Sequence, residues 1–349
     1  MISSQPLLVL DVDYPADSAE WCPFDNFHDI LLCGNYQLQA NEGSNESDTK
    51  RFGRVLLFEK SKSSFSLEIK DERNLCGVLD IKWSYKKLHN KLIFGVVDAD
   101  GILSLWECVK TGQDAQMCPV KTSLCNFDDP CLALSLDWNN AIDYNNPEIV
   151  VSYSNGFLAT HVCTETGMNI LHQWKAHDYE AWICAFNYFN SNIIYSGGDD
   201  CKLKLWDKRC LKKAVVTSNR HSMGVCSIQS NFHKENVLAT GSYDEHVLLW
   251  DGRNLKSPLD DTHVGGGVWR MKWEPSQGNY LATASMHNGC HVINYTDTSA
   301  ADRPVCKYNN HQSLVYGIDW YKGASYNTKT LASCSFYDRS LQLWDFKIK

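Results

Sequence analysis

YSGGDDCKLKLWDKR, residues 195–209, is the stretch that decides the fold. It reads as a strand ending at Tyr195–Ser196, a turn supplied by Gly197–Gly198–Asp199–Asp200, and a second strand. In that second strand Leu203 and Leu205 alternate with Lys202 and Lys204, the period of two of a half-buried strand. It closes on Trp206–Asp207. The same ending returns at Trp250–Asp251 in TGSYDEHVLLWD, at Trp344–Asp345 in SLQLWD and, without the Asp, at Trp106 in ILSLW. In all four copies an Asp stands six residues before the Trp: Asp100, Asp200, Asp244 and Asp338. Asn155 with His161 and Asn288 with Asn294 mark two weaker copies. RVLLFE, ending near Phe58, marks a seventh whose turn is hidden by an insertion.

The series Phe58, Trp106, His161, Trp206, Trp250, Asn294, Trp344 advances by 44 to 55 residues at each step. Strand–turn–strand units at that period, closed by Trp-Asp, are WD repeats, each one four-stranded blade. Seven of them predict an all-β, seven-bladed propeller that takes up residues 1–349 as one domain. His177 and His221 each precede a Trp by 29 residues. In such repeats a His, a hydroxyl, the turn Asp and the Trp bond to one another. This gives His177, Ser196, Asp200, Trp206 and His221, Thr240, Asp244, Trp250, with His311 and Asp338 as a third set in which Cys334 replaces the hydroxyl. These histidines are expected to be structural.

Residues 5–12 read as a lone strand ahead of blade one, while the chain stops after the third strand of blade seven. The lone strand is therefore expected to supply that blade's missing outer strand and remove its open edge. Blade one is expected to start with Trp21–Phe24 as inner strand and Ile30–Gly34 as the second. Residues 39–51, polar and without periodicity, are expected to be a disordered insertion. Inner strands then begin at Val78, Leu132, Trp182, Val225, Val268 and Val315.

The net charge of −8 and the lack of any basic run argue against a direct nucleic-acid binder. The amino terminus has no basic segment before its short apolar run, and no apolar stretch approaches a membrane span. The fifteen cysteines lack the paired spacing of a zinc site, and Cys184, Cys226, Cys290 and Cys334 fall on strand patterns. The expectation is a cytoplasmic, reduced monomer without metal or cofactor.

Propellers bind through loops on their faces, so the informative residues are those a blade does not require. Four such segments share one rim: HDYEAW (177–182), VGGGVWR (264–270), SLVYG (313–317) and SFYDRS (335–340). With YSGGDDCKLKLWDKR and SYDEHVLLWD, they resemble the diphthine methyl ester hydrolases of diphthamide synthesis, historically called diphthine methyltransferases. The likeness is closest over residues 174–349. It implies removal of a methyl ester from methylated diphthine, a modified histidine of translation elongation factor 2, leaving diphthine. Elongation factor 2 would be the protein substrate.

Ester hydrolysis needs an activated water or nucleophile, a base and donors for the oxyanion. The G-x-S-x-G elbow of serine esterases is absent. His287, in the turn MHNG and outside the structural His pattern, is the candidate base. Glu180, Asp199 and Glu245 are rim carboxylates to orient it. Arg270 and the backbone N–H groups of Gly265, Gly266 and Gly267 are the candidate anion site. The trimethylammonium group of the implied substrate calls for aromatic faces, and Tyr179, Trp182, Tyr243, Trp269, Tyr316, Phe336 and Tyr337 are expected at the channel mouth. The competing reading is a non-enzymatic adaptor. WDKR (206–209) and WDGR (250–253) resemble the box by which substrate receptors of cullin-4 ubiquitin ligases hold their adaptor, with Arg209 and Arg253 on the opposite rim.

Overall fold

The computed structural model describes residues 2–39, 50–61, 65–112, 114–139, 147–164, 167–296, 303–323 and 328–348. Among them there is no helix, and the strands form seven sheets in a seven-bladed β-propeller. Blade four shows the plan. Ile183–Asn187 lines the channel, Asn190–Gly197 and Leu203–Asp207 form the quoted hairpin, and Val216–Ser218 lies outermost. The inner strands of the other blades are Ala16–Trp21, Val78–Trp83, Ala133–Trp138, Val225–Ser230, Arg270–Trp273 and Val315–Trp320. Apolar residues on both faces of each sheet fill the seams between blades, which is why the middle strands are buried on both sides.

The indole N–H at the end of an inner strand reaches back to a carbonyl of the preceding blade. Trp83 donates to Glu20 O, Trp138 to Lys82 O, Trp273 to Gln229 O and Trp320 to Lys272 O. In blade one the inner strand is Ala16–Trp21, not Trp21–Phe24, so Trp21 ends it. The motif there has no Trp-Asp repeat to set its phase. Gln39 pairs with Lys50, so the ends of the expected insertion are strand, while residues 40–49 lie outside the described residues.

The ring closes as the sequence suggests. Pro6–Asp11 runs antiparallel to Ser340–Lys347 as the outer strand of blade seven. A second tie was not foreseen: Ile2–Ser3 pairs in parallel with Cys306–Tyr308, the outer strand of blade six. One short segment thus bolts two adjacent blades together.

Two polar tetrads form as read. His177 Nδ1 meets Asp200 Oδ1 at 2.8 Å, and its Nε2 meets Ser196 Oγ at 2.7 Å, which also accepts the Trp206 indole N–H at 2.9 Å. His221, Asp244, Thr240 and Trp250 repeat this within a few tenths of an ångström. Burial works against the Asp200 carboxylate, but His177, Lys204 and the Asp178 N–H outweigh it and hold its pKa down to about 2. The third set differs from expectation. Ser333, not Cys334, supplies the hydroxyl to His311 and Trp344, and Ser335 stands between His311 and Asp338. Side chains alternate along a strand, so the neighbour of Ser333 faces the other way. In blade two Asp98, two residues ahead of Asp100, accepts the turn N–H groups of Asp100 and Ile102.

Deleting residues 2–11 should open the edges of blades six and seven and produce aggregation on heating. An equally soluble truncation of unchanged melting temperature would count against this closure. Asp200→Ala and Asp244→Ala should each cost about 1–3 kcal/mol by stranding a buried imidazole, read as a lower urea midpoint with activity per folded molecule preserved.

Candidate functional site

The inner strands meet at the channel, and most carry a bulge where they enter it. Register slips between Ala16 and Ser18, Val78 and Asp80, Ala133 and Ser135, Val225 and Ser227, and Val315 and Gly317. A bulge re-aims the side chain at its centre. The centres are Asp17, Leu79, Leu134, Cys226 and Tyr316, and Trp182 and Trp269 stand one residue ahead of the inner strands of blades four and six.

From this ring an aromatic arc is built. Trp182 and Trp269 lie 5.5 Å apart between centroids, Tyr243 sits 6.2 and 5.9 Å from the two, and Tyr316 lies 5.0 Å from Trp269. Phe336 continues it at 5.4 Å from Tyr316, touching Tyr337 and, on blade one, Tyr36. Asp199 accepts the Trp182 indole N–H at 3.0 Å, placing a carboxylate at one end. The sequence-predicted rings thus come together, with two qualifications. Tyr179 is 63% exposed and makes no ring contact among the described residues, and Tyr36 was missed because blade one carries no motif there.

The triple glycine is tightly packed. Gly265 has φ +73°, and a Cβ on Gly266 would fall 2.2 Å from the Ser285 carbonyl, so neither position accepts a side chain without strain. A Cβ on Gly267 would fall 2.8 Å from the Met286 sulfur and 3.3 Å from a Tyr243 ring carbon. Asn288 binds the Val264 carbonyl and receives Lys307 Nζ at 2.6 Å, which fixes the loop. Flanking N–H groups go to backbone carbonyls: Val264 to Glu245, Val268 to Ser242, Trp269 to Ala284. What the glycines secure is the placement of Trp269 and Arg270.

Arg270 is not a rim cation. It is 7% exposed, inside the channel, with Nη1 3.3 Å from Asp80 Oδ2 of blade two, so the pair spans the channel below the aromatic arc. Asp80 is held in turn by the Leu136 N–H at 3.2 Å. Burial opposes the Arg270 charge, but Asp80, Asp17 and Glu20 outweigh it and keep the guanidinium protonated. Its neighbour Asp17 is the residue the sequence reading missed. Asp17 is 3% exposed, and burial pushes its pKa up to about 7, with Arg270 opposing the rise and Asp80 adding to it. The Trp269 indole N–H lies beside this carboxylate without a well-aligned partner. An isolated Asp in ADSAEW offers no sequence signal, since only the bulge aims it inward.

The remaining candidates are not drawn to Arg270. His287, with 61% of its side chain exposed, faces Glu245 at 3.9 Å. Glu245 is shared with His263 at 3.1 Å. Glu180 accepts the Asp199 N–H on its backbone carbonyl at 2.8 Å, while among the described residues the carboxylates ion-paired with His287 and Arg270 are Glu245 and Asp80. On the opposite rim Arg209 and Arg253 fold back onto Asp207 and Asp251 at 2.6 Å. A cavity of about 440 Å³ opens there, but Lys82, Lys272 and Lys322 are paired with Asp137, Glu20 and Asp319.

Fold and site together define a WD-repeat propeller with an aromatic mouth over a buried ion pair. The family described as "WD domain, G-beta repeat" matches residues 168–207, 212–251 and 302–345. The chain is 41% identical to mouse diphthine methyltransferase, over 90% of its own length and 69% of the relative's. It is 35% identical to the Dictyostelium discoideum diphthine methyltransferase homolog, over 95% and 97% of the two chains. The chain belongs to the diphthine methyltransferase family. A propeller in a crystal structure of the mitotic checkpoint complex superposes with a TM-score of 0.73 at 16% identity, over 98% of this chain and 92% of that one, which speaks for the fold alone.

Arg270→Ala should destabilise by about 3–5 kcal/mol, because Asp80 is left buried and unpaired. Replacing both partners by apolar residues of similar size should recover most of that loss. Chemical denaturation of the three proteins checks it, and an Arg270→Ala variant of unchanged midpoint would refute the pairing.

Proposed function

We propose that this chain hydrolyses the methyl ester of methylated diphthine on translation elongation factor 2, giving diphthine in diphthamide biosynthesis. The observation that carries the reading is the arc of Trp182, Tyr243, Trp269 and Tyr316 set over Arg270. Diphthine pairs a quaternary ammonium with a carboxyl group. Aromatic faces attract the first, the more so beside a carboxylate such as Asp199, and a guanidinium below them suits the second. The names of the relatives point to the same molecule. Hydrolysis, as against methyl transfer, is favoured by the cation at the floor, which matches the charge that develops on an ester oxygen under attack. The proposal includes a cytoplasmic setting, with which fifteen free thiols are compatible.

Purified protein incubated with methyl-esterified elongation factor 2 should release one methanol per molecule and lower the factor's mass by one CH2, read by mass spectrometry. An unchanged mass would sink the reading. Trp182→Ala and Trp269→Ala should each raise KM by about 2- to 30-fold, the worth of one cation–π face, with a smaller effect on kcat.

A further inference from the structure

We propose that Asp17 is the catalytic base, taking a proton from the attacking water while Arg270 holds the oxyanion. This rests on the ester-hydrolase reading and names the residue that carries it out.

The argument starts from placement. Asp17 is the centre of the blade-one bulge, as Tyr316 is of the bulge on the neighbouring inner strand of blade seven, and its carboxylate acts electrostatically on Trp269, Tyr316 and Arg270. A substrate whose ammonium rests on Trp182, Tyr243 and Trp269 therefore presents its carboxyl end toward Asp17 and Arg270. The charged and titratable groups facing Asp17 are Arg270 of blade six, Asp80 of blade two, and Tyr243, Tyr316 and Cys334 of blades five and seven. No hydrogen bond of a tetrad or seam uses its side chain among the described residues, and its electrostatic partner is Arg270, the group it would work with. Arg270 commits Nη1 to Asp80, and a guanidinium carries further donors.

The step balances without a co-reactant. Water oxygen bonds to the ester carbonyl carbon as one water proton passes to the Asp17 carboxylate, and the carbonyl electrons move to an oxyanion facing Arg270. Collapse breaks the bond to the methoxy oxygen, which takes the proton back from Asp17. Diphthine and methanol leave, and Asp17 is again ionised. A base poised near neutrality serves such a step best, being ionised yet still a fair proton acceptor.

The test is the rate of ester loss from methyl-esterified elongation factor 2 by wild type, Asp17→Asn and His287→Ala, measured from pH 5 to 8. Wild type should lose activity below a midpoint near 7, where the carboxylate protonates. Asp17→Asn should be slower by about 10²- to 10⁴-fold and flat with pH, and His287→Ala should keep the wild-type profile. Folding is monitored in parallel. Because the raised pKa means ionisation of Asp17 is resisted in the folded state, its contribution to stability is full below the unfolded value near 4 and is lost as pH rises through 7. Asp17→Asn should therefore melt at or above the wild-type temperature at pH 8. A wild type inert toward the ester overturns the hydrolase reading and the proposal with it. An active wild type matched within threefold by Asp17→Asn, or a pH profile lost in His287→Ala instead, overturns the proposal alone.

Discussion

A propeller is a ring, and everything at its axis depends on the ring being closed. Each blade fixes only its two neighbours, through apolar seams and the indole-to-carbonyl bonds of Trp83, Trp138, Trp273 and Trp320. The geometry at the centre is the sum of seven such steps. It is determinate only because Pro6–Asp11 completes blade seven and Ile2–Ser3 adds to blade six. An open ring would leave sheet edges unpaired and let the inner strands splay. The cross-channel pair of Arg270 and Asp80, which joins blades six and two, exists only in the closed form.

That pair shows what closure makes possible. Seven inner strands brought to one axis crowd polar side chains into a space with little water, where charges interact strongly and must be paired. The lower channel resolves this with lysines set against carboxylates. Among the described residues of the upper channel, Asp17 has Arg270 already shared with Asp80 and an ill-aligned indole N–H beside it. Above it the wall changes to aromatic rings. The proposed ligand, an ammonium joined to an ester, would meet aromatic rings at the top, the Asp199 carboxylate at one end and the Arg270–Asp80 pair with Asp17 at the floor.

The parts of the site legible in the sequence were those written in motifs. VGGGVWR pointed to Trp269, HDYEAW to Trp182 and SLVYG to Tyr316, and the structure brings these rings together. Motifs misled where they implied exposure. Arg270 closes a segment grouped with the rim, yet its glycines pack under Ser285 and Met286 and the arginine is buried. His287 and Glu180 are on the expected rim, but neither contacts Arg270.

Sequence alone determined the number of blades, the strand order within them, the two full tetrads and the origin of the closing strand. These follow from local periodicity and from residues at fixed spacing, which any stretch of chain carries within itself. Tertiary structure alone decided which side chains face the axis and at what depth. Asp17, Asp80 and Arg270 are separated by tens to hundreds of positions and meet only because three distant blades are held around one channel. Their charges, and the near-neutral pKa of Asp17, are set by that shared burial, a property no segment possesses until the ring is complete.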